Sequence, residues 1–312
     1  MPPSRASRRR EASDLGNEAN ALTPAPLPGG EGSNRVAVVI GSGSVKCAAA
    51  LGLLKVLDRE GISIDLIVGC SGGSLYAAMI ALGRSAAEAE EVTRRLWTRE
   101  LTKRRHYPSL FRAMLPKIFG FTEQFGLVDD TLILDRLRVA FGESKFEDAR
   151  IPLYLTATDF HTGELAVFSQ GSVVDAIRAS IAIPYVFRPW KIGSHLYVDG
   201  FLSDPMPVGV AIKHGANVIV TMGFESPYQS HATSVLKFAF QLSSIMSNNL
   251  LRANYAFHNL AHHTEILPII PQFREHIHLF DTDKIPYVIE EGERAAEQQL
   301  PYLRRLLAAE LS

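Results

Sequence analysis

The sequence predicts an α/β fold built around a central, mostly parallel sheet. Apolar runs rich in β-branched residues, at 36–40, 62–68 and 217–222, read as strands buried on both faces. Helical patterns follow the first two runs at once, which is the spacing of βαβ units. The chain has 312 residues, 46% of them hydrophobic, enough to bury one large core.

The elements follow in order. The run Val36-Ala37-Val38-Val39-Ile40 is the first strand, broken by Gly41-Ser42-Gly43-Ser44. Residues 46–59 read as a helix with Leu51, Leu54, Val56 and Leu57 on its apolar side. Strand 62–68 and helix 74–82 complete a second unit. Residues 84–145 read as helices and connections. Residues 151–158 return to strand, with further strands expected at 164–169 and 195–198 and a helix at 173–180. A helix near 208–214 precedes the strand at 217–222. A long helix spans 234–263, a late strand 266–270, and an amphipathic C-terminal helix 285–311 with a break expected near Pro301. No internal repeat is visible, and one domain over 35–312 is the simplest organisation: a motif-bearing core at about 35–225 and a helical C-terminal part at 226–312.

Residues 1–34 are polar and rich in Pro, Gly, Ser and Ala, so they are expected to be a disordered tail. Arg5, Arg8, Arg9 and Arg10 are not followed by an apolar stretch, so a secretory signal is not expected. An upstream start assigned too early would give the same pattern. No run reaches the ~18 apolar residues of a membrane span. The formal net charge of −1 gives no global case for nucleic acid. The two cysteines, Cys47 and Cys70, sit in glycine-rich stretches and suggest a reducing, cytoplasmic location, with or without peripheral membrane contact.

Three segments carry chemistry. In Gly69-Cys70-Ser71-Gly72-Gly73 a serine lies on a turn from strand to helix, which thrusts it into a cleft. Small Gly69 and Gly73 permit so tight a turn, and the helix N-terminus beneath Ser71 faces developing negative charge. A glycine-rich turn with an incidental serine fits the same five residues. In Gly41-Ser42-Gly43-Ser44-Val45-Lys46, backbone N–H groups can converge on an anion, as an acyl-transfer oxyanion requires. A dinucleotide fingerprint fails because Lys46 stands at its third glycine. A plain βα turn remains open. In Val198-Asp199-Gly200, an aspartate at a strand end can project into a cleft, or the Asp-Gly pair can form a hairpin turn.

Together these segments resemble the patatin-like phospholipase family, which carries a glycine-rich oxyanion loop ending in Arg or Lys, a Gly-x-Ser-x-Gly elbow and an Asp-Gly-Gly/Ala motif, in that order. Ala157-Thr158-Asp159, Thr162-Gly163-Glu164 and residues 175–184 are also similar to its bacterial branch. The resemblance implies a three-layer α/β/α patatin-like fold and a Ser–Asp dyad without histidine. Ser71 would be the nucleophile and Asp199 its orienting partner, general base and then proton donor. Ser42, Gly43 and Ser44 would offer backbone N–H groups to the oxyanion, with Gly72 a further donor. Lys46 matches the basic position closing the loop, with a structural tie as its expected role. Gly69, Gly73 and Gly200 support the motifs. The chain departs from the family in Ser42 and Ser44 for glycines, Cys47 for a glycine, and Phe201 at the end of the third motif.

The resemblance implies a serine acyl hydrolase of lipid esters, of phospholipase A or lysophospholipase type, with no metal or organic cofactor. Two alternatives stay open at this point. One is a catalytically impaired lipid-binding protein. The other is a Ser-His-Asp esterase, for which His258, His262, His263, His276 and His278 lie downstream of Asp199. The basic, aromatic stretch 94–119 fits either an anionic membrane surface or a solvated helix packed on the core.

Overall fold

A computed structural model describes residues 34–308, except residues 97, 99, 101–105, 107–121, 226–230, 262, 263 and 278–280. The tail at 1–33, most of the basic stretch 94–119, and His262, His263 and His278 therefore lie outside the described residues.

The first strand, β1 (Val36–Ile40), passes through a 3-10 turn (Ser44–Ala48) into α1 (Ala49–Glu60). Next come β2 (Leu66–Cys70), α2 (Gly72–Ala81), α3 (Ala86–Leu96) and α4 (Thr131–Phe141). The middle of the chain supplies β3 (Leu153–Asp159), β4 (Leu165–Phe168), α5 (Val173–Ser180), β5 (Trp190–Ile192), β6 (His195–Asp199) and α6 (Val208–Lys213). It ends with β7 (Val218–Met222), α7 (Val235–Ala261), β8 (Glu265–Ile269) and α8 (Ile285–Ala308).

These strands form one sheet in the order β5-β6-β3-β2-β1-β7-β8, with β4 also paired to β3. The β1–β2, β2–β3, β1–β7 and β7–β8 pairs are parallel, while β3, β4, β5 and β6 pair antiparallel. The largely parallel sheet carries helices on both faces, as expected for the α/β/α class. Period-2 alternation explains why. Val38 and Ile40 enter one apolar core with Leu51 of α1, Leu75 of α2 and Val288 of α8. Ala37 and Val39 enter a second core with Val208 and Ala211 of α6 and Leu251 of α7.

Several boundaries differ from those the sequence predicts. The second strand starts at Leu66, because Ile62 and Ile64 pack from its approach loop. The turn at 44–48 is 3-10, and the α-helix starts only at Ala49. Pro301 does not break α8, which runs unbroken through it. Leu300 and Leu303 on either side are buried, so packing outweighs the lost backbone bond. The edge strand β5 is too short to give a periodic signal.

Candidate active site

The site is assembled at the C-terminal end of the parallel strands, where β1, β2 and the antiparallel β6 stop. Ser71 follows β2 directly and holds φ 53° and ψ −128°, a left-handed conformation that costs a non-glycine residue roughly 1–3 kcal/mol. That turn swings its side chain off the sheet. The helix behind it, α2, is apolar on every side and buried along its whole length, so its N-terminus is a fixed platform. A Cβ on Gly73 would lie 2.2 Å from the Ile40 carbonyl oxygen, and one on Gly72 would lie 2.7–2.8 Å from the Ser44 backbone. Glycine here lets the elbow touch both β1 and the loop that follows it.

Asp199 is the last residue of β6, and the Asp-Gly pair forms no hairpin turn. Gly200 instead opens a 3-10 turn, Gly200–Leu202. Antiparallel pairing sets Asp199 opposite Ala157, one residue beyond the β3 position that faces Cys70. The Ser71 hydroxyl then donates to Asp199 Oδ2 at 2.7 Å. Asp199 Oδ1 accepts the Phe201 N–H at 3.1 Å. The backbone of Asp199 is pinned as well: its N–H donates to Ala182 and its carbonyl accepts the Thr158 hydroxyl at 2.9 Å. Asp199 is wholly buried and Ser71 nearly so. Burial pushes the Asp199 carboxyl up to about 7, against the opposing pull of its bonds from Ser71 and Phe201.

The loop after β1 lies over the elbow. Ser44 also holds a positive φ, 54°, a conformation that glycine adopts without strain. The Ser42 N–H donates to the Pro205 carbonyl at 2.9 Å, so it is committed to holding the loop and is not offered to the site. That corrects the expectation for Ser42. The Gly43 and Gly72 N–H groups have no partner among the described residues. Lys46 Nζ donates to the Glu225 carbonyl at 2.9 Å, tying the loop to the segment after β7. Burial pulls the Lys46 ammonium below its ordinary value.

One residue of the site lies in the family-like stretch 175–184 but has no role assigned from the sequence. The Ser71 N–H donates to Ser180 Oγ at 2.8 Å, and Ser180 is fully buried at the end of α5. Two residues earlier, the fully buried Arg178 guanidinium bonds Asp130, which also receives Arg188. Those two guanidiniums hold the Asp130 carboxyl below its ordinary value despite burial. The ion cluster fixes α5, and α5 fixes the amide of the strained serine. Among the described residues no imidazole bonds Ser71 or Asp199; buried His258 lies on α7 beside Gly209 of α6.

Residues 38–212 match the family model described as patatin-like phospholipase. An uncharacterized NTE family protein of Mycobacterium tuberculosis is 34% identical over 193 residues, which are 62% of this chain and 50% of that protein. Patatin-like phospholipase domain-containing protein 6 of Mus musculus is 27% identical over 69% of this chain and 15% of its own length. The chain thus spans about half the length, or less, of these relatives. Among solved structures, VipD from Legionella pneumophila has a TM-score of 0.47 at 14% identity, covering 86% of this chain and 67% of that one.

Proposed function

This chain belongs to the patatin-like phospholipase family, and on that premise we propose that it is a serine acyl hydrolase of lipid esters, of phospholipase A or lysophospholipase type. The observation that carries the proposal is the 2.7 Å bond from the Ser71 hydroxyl to a buried Asp199. A carboxyl held up at about 7 is matched to accepting a proton from serine near neutral pH and returning it to an alcohol.

In the first step, ionised Asp199 takes the Ser71 proton as Oγ attacks the ester carbonyl carbon. The N–H groups of Gly43, Ser44 and Gly72 receive the oxyanion, without the Ser42 amide. The carbon–oxygen bond to the leaving alcohol breaks, and protonated Asp199 supplies that alcohol with its proton. The acyl group now rests on Ser71. Water enters, Asp199 takes its proton, and the hydroxide attacks the acyl carbon. Ser71 leaves and recovers its proton from Asp199, so the enzyme is regenerated and a fatty acid released. Strain at Ser71 supports this role, since it keeps the nucleophile in one orientation before substrate arrives.

The test is labelling by a fluorophosphonate probe together with turnover of a short-chain ester. Ser71→Ala abolishes labelling, and both Ser71→Ala and Asp199→Asn lower kcat by about 10³-fold or more. His258→Ala, His262→Ala and His263→Ala retain turnover. A folded but inactive histidine variant would replace the dyad with a triad. A wild type that binds lipid yet neither labels nor turns over would replace hydrolysis with lipid binding.

A further inference from the structure

The solvent side of α7 is apolar, the reverse of an ordinary surface helix. Five of the twelve most exposed large apolar side chains among the described residues lie on this one helix. They are Phe238, Leu242, Ile245, Met246 and Phe257, with Met246 70%, Phe257 61% and Phe238 57% exposed. At 3.6 residues per turn all five fall within an arc of about 120°. The opposite side carries the buried Ser247, Asn248, Leu251 and His258, so the helix meets the protein with its more polar face. An apolar surface of this kind marks a binding face.

Charge says what binds there. The 27 residues of α7 contain no Asp or Glu, but they contain Lys237 and Arg252, both exposed. Arg252 reaches Glu225 at 3.2 Å, a pair open to solvent on both sides and therefore weakly held. We infer that α7 docks the protein on an anionic lipid bilayer, its aromatic and aliphatic side chains entering the acyl boundary and Arg252, beside them, meeting lipid phosphates. A two-fold partner copy fits less well, because it would set this carboxylate-free helix against its own like charges. In a bilayer, Arg252 and Asn249, which lie among the apolar side chains, can reach headgroups and water.

The location is that of a working interface. Asn254 donates to Asp204 Oδ1 at 2.8 Å, and Asp204 lies on the loop between Asp199 and Pro205. Burial pushes the Asp204 carboxyl up to about 6. Tyr255 bonds Thr221 at the C-terminal end of β7, the end next to the loop after β1. Glu225, the partner of Arg252, also receives Lys46 on its carbonyl. The helix is thus fastened to the parts that hold Asp199 and the oxyanion loop. Docking of this kind presupposes the lipid-ester substrate proposed above.

The experiment sediments the full chain with vesicles of phosphatidylcholine, with and without phosphatidylglycerol. The wild type binds, and more so to the anionic vesicles. Phe238→Ser/Met246→Ser/Phe257→Ser lowers binding by about tenfold or more, while keeping its thermal melt and its turnover of a soluble short-chain ester. Arg252→Glu removes the preference for phosphatidylglycerol, as added salt does. Wild-type vesicle binding by the triple serine variant overturns the inference. So does a wild-type dimer, seen by light scattering, that the same variant converts to a monomer without any loss of vesicle binding. Vesicle binding without soluble-ester turnover or Ser71 labelling would instead remove the hydrolase proposal and leave the docking surface standing.

Discussion

Replacing Asp199 by asparagine separates what this carboxyl does for the reaction from what it does to the fold. Between its ordinary 3.8 and about 7, the folded protein keeps a proton on Asp199 that the unfolded chain releases. The folded state binds more protons there, so stability falls as pH rises through that window. At ~1.36 kcal/mol per pH unit, the loss approaches about 4 kcal/mol by pH 8. Asparagine has the same shape, accepts the Phe201 N–H and donates to Ser71, and never ionises. Asp199→Asn therefore matches the wild type in stability near pH 4 and exceeds it by up to about 4 kcal/mol at pH 8. Turnover moves the other way: the wild-type rate rises across a midpoint near 7, and the variant is inactive throughout. Urea unfolding at pH 4.5, 6 and 8 reads the first effect and ester hydrolysis over the same range the second. A stability difference that does not widen with pH would refute the assignment of a buried, proton-holding Asp199.

Two further substitutions probe the elbow. Ser180→Ala leaves the buried Ser71 amide without an acceptor, a loss of about 1–3 kcal/mol, and is expected to lower kcat or the melting temperature; a variant with wild-type values for both would count against it. Gly73→Ala forces a methyl group against the Ile40 carbonyl and is expected to destabilise by about 1–3 kcal/mol while slowing fluorophosphonate labelling of Ser71, readable by calorimetry and labelling kinetics.

The parts of this fold that are legible in the sequence are those that a local pattern dictates. The buried runs of β1 and β7 have no alternative as strands, and the elbow carries its own glycines. What escapes local reading depends on partners far along the chain. Ser180 is 109 residues from the amide it receives, and although it lies in the family-like stretch 175–184, no local pattern says that its hydroxyl meets that amide. The Ser42 amide looks available in the sequence because the carbonyl that occupies it belongs to Pro205. Pro301 argues locally for a break, but the buried leucines around it decide otherwise. The Asp-Gly pair favours a hairpin in isolation, and only the antiparallel pairing of β6 with β3 sets it at a strand end.

The order of strands carries a consequence for how this chain can be divided. The family match ends at residue 212, before β7 and β8. Yet β7 pairs with β1 along all five residues of that strand, and Gly41, which opens the loop after β1, donates to the Met222 carbonyl. A fragment cut at the end of the match would expose one side of β1, a wholly apolar edge of the kind that templates aggregation. Homology and foldability thus have different borders here. The smallest piece that keeps β1 covered includes at least β7, and any fusion or dissection of the chain has to respect that longer border.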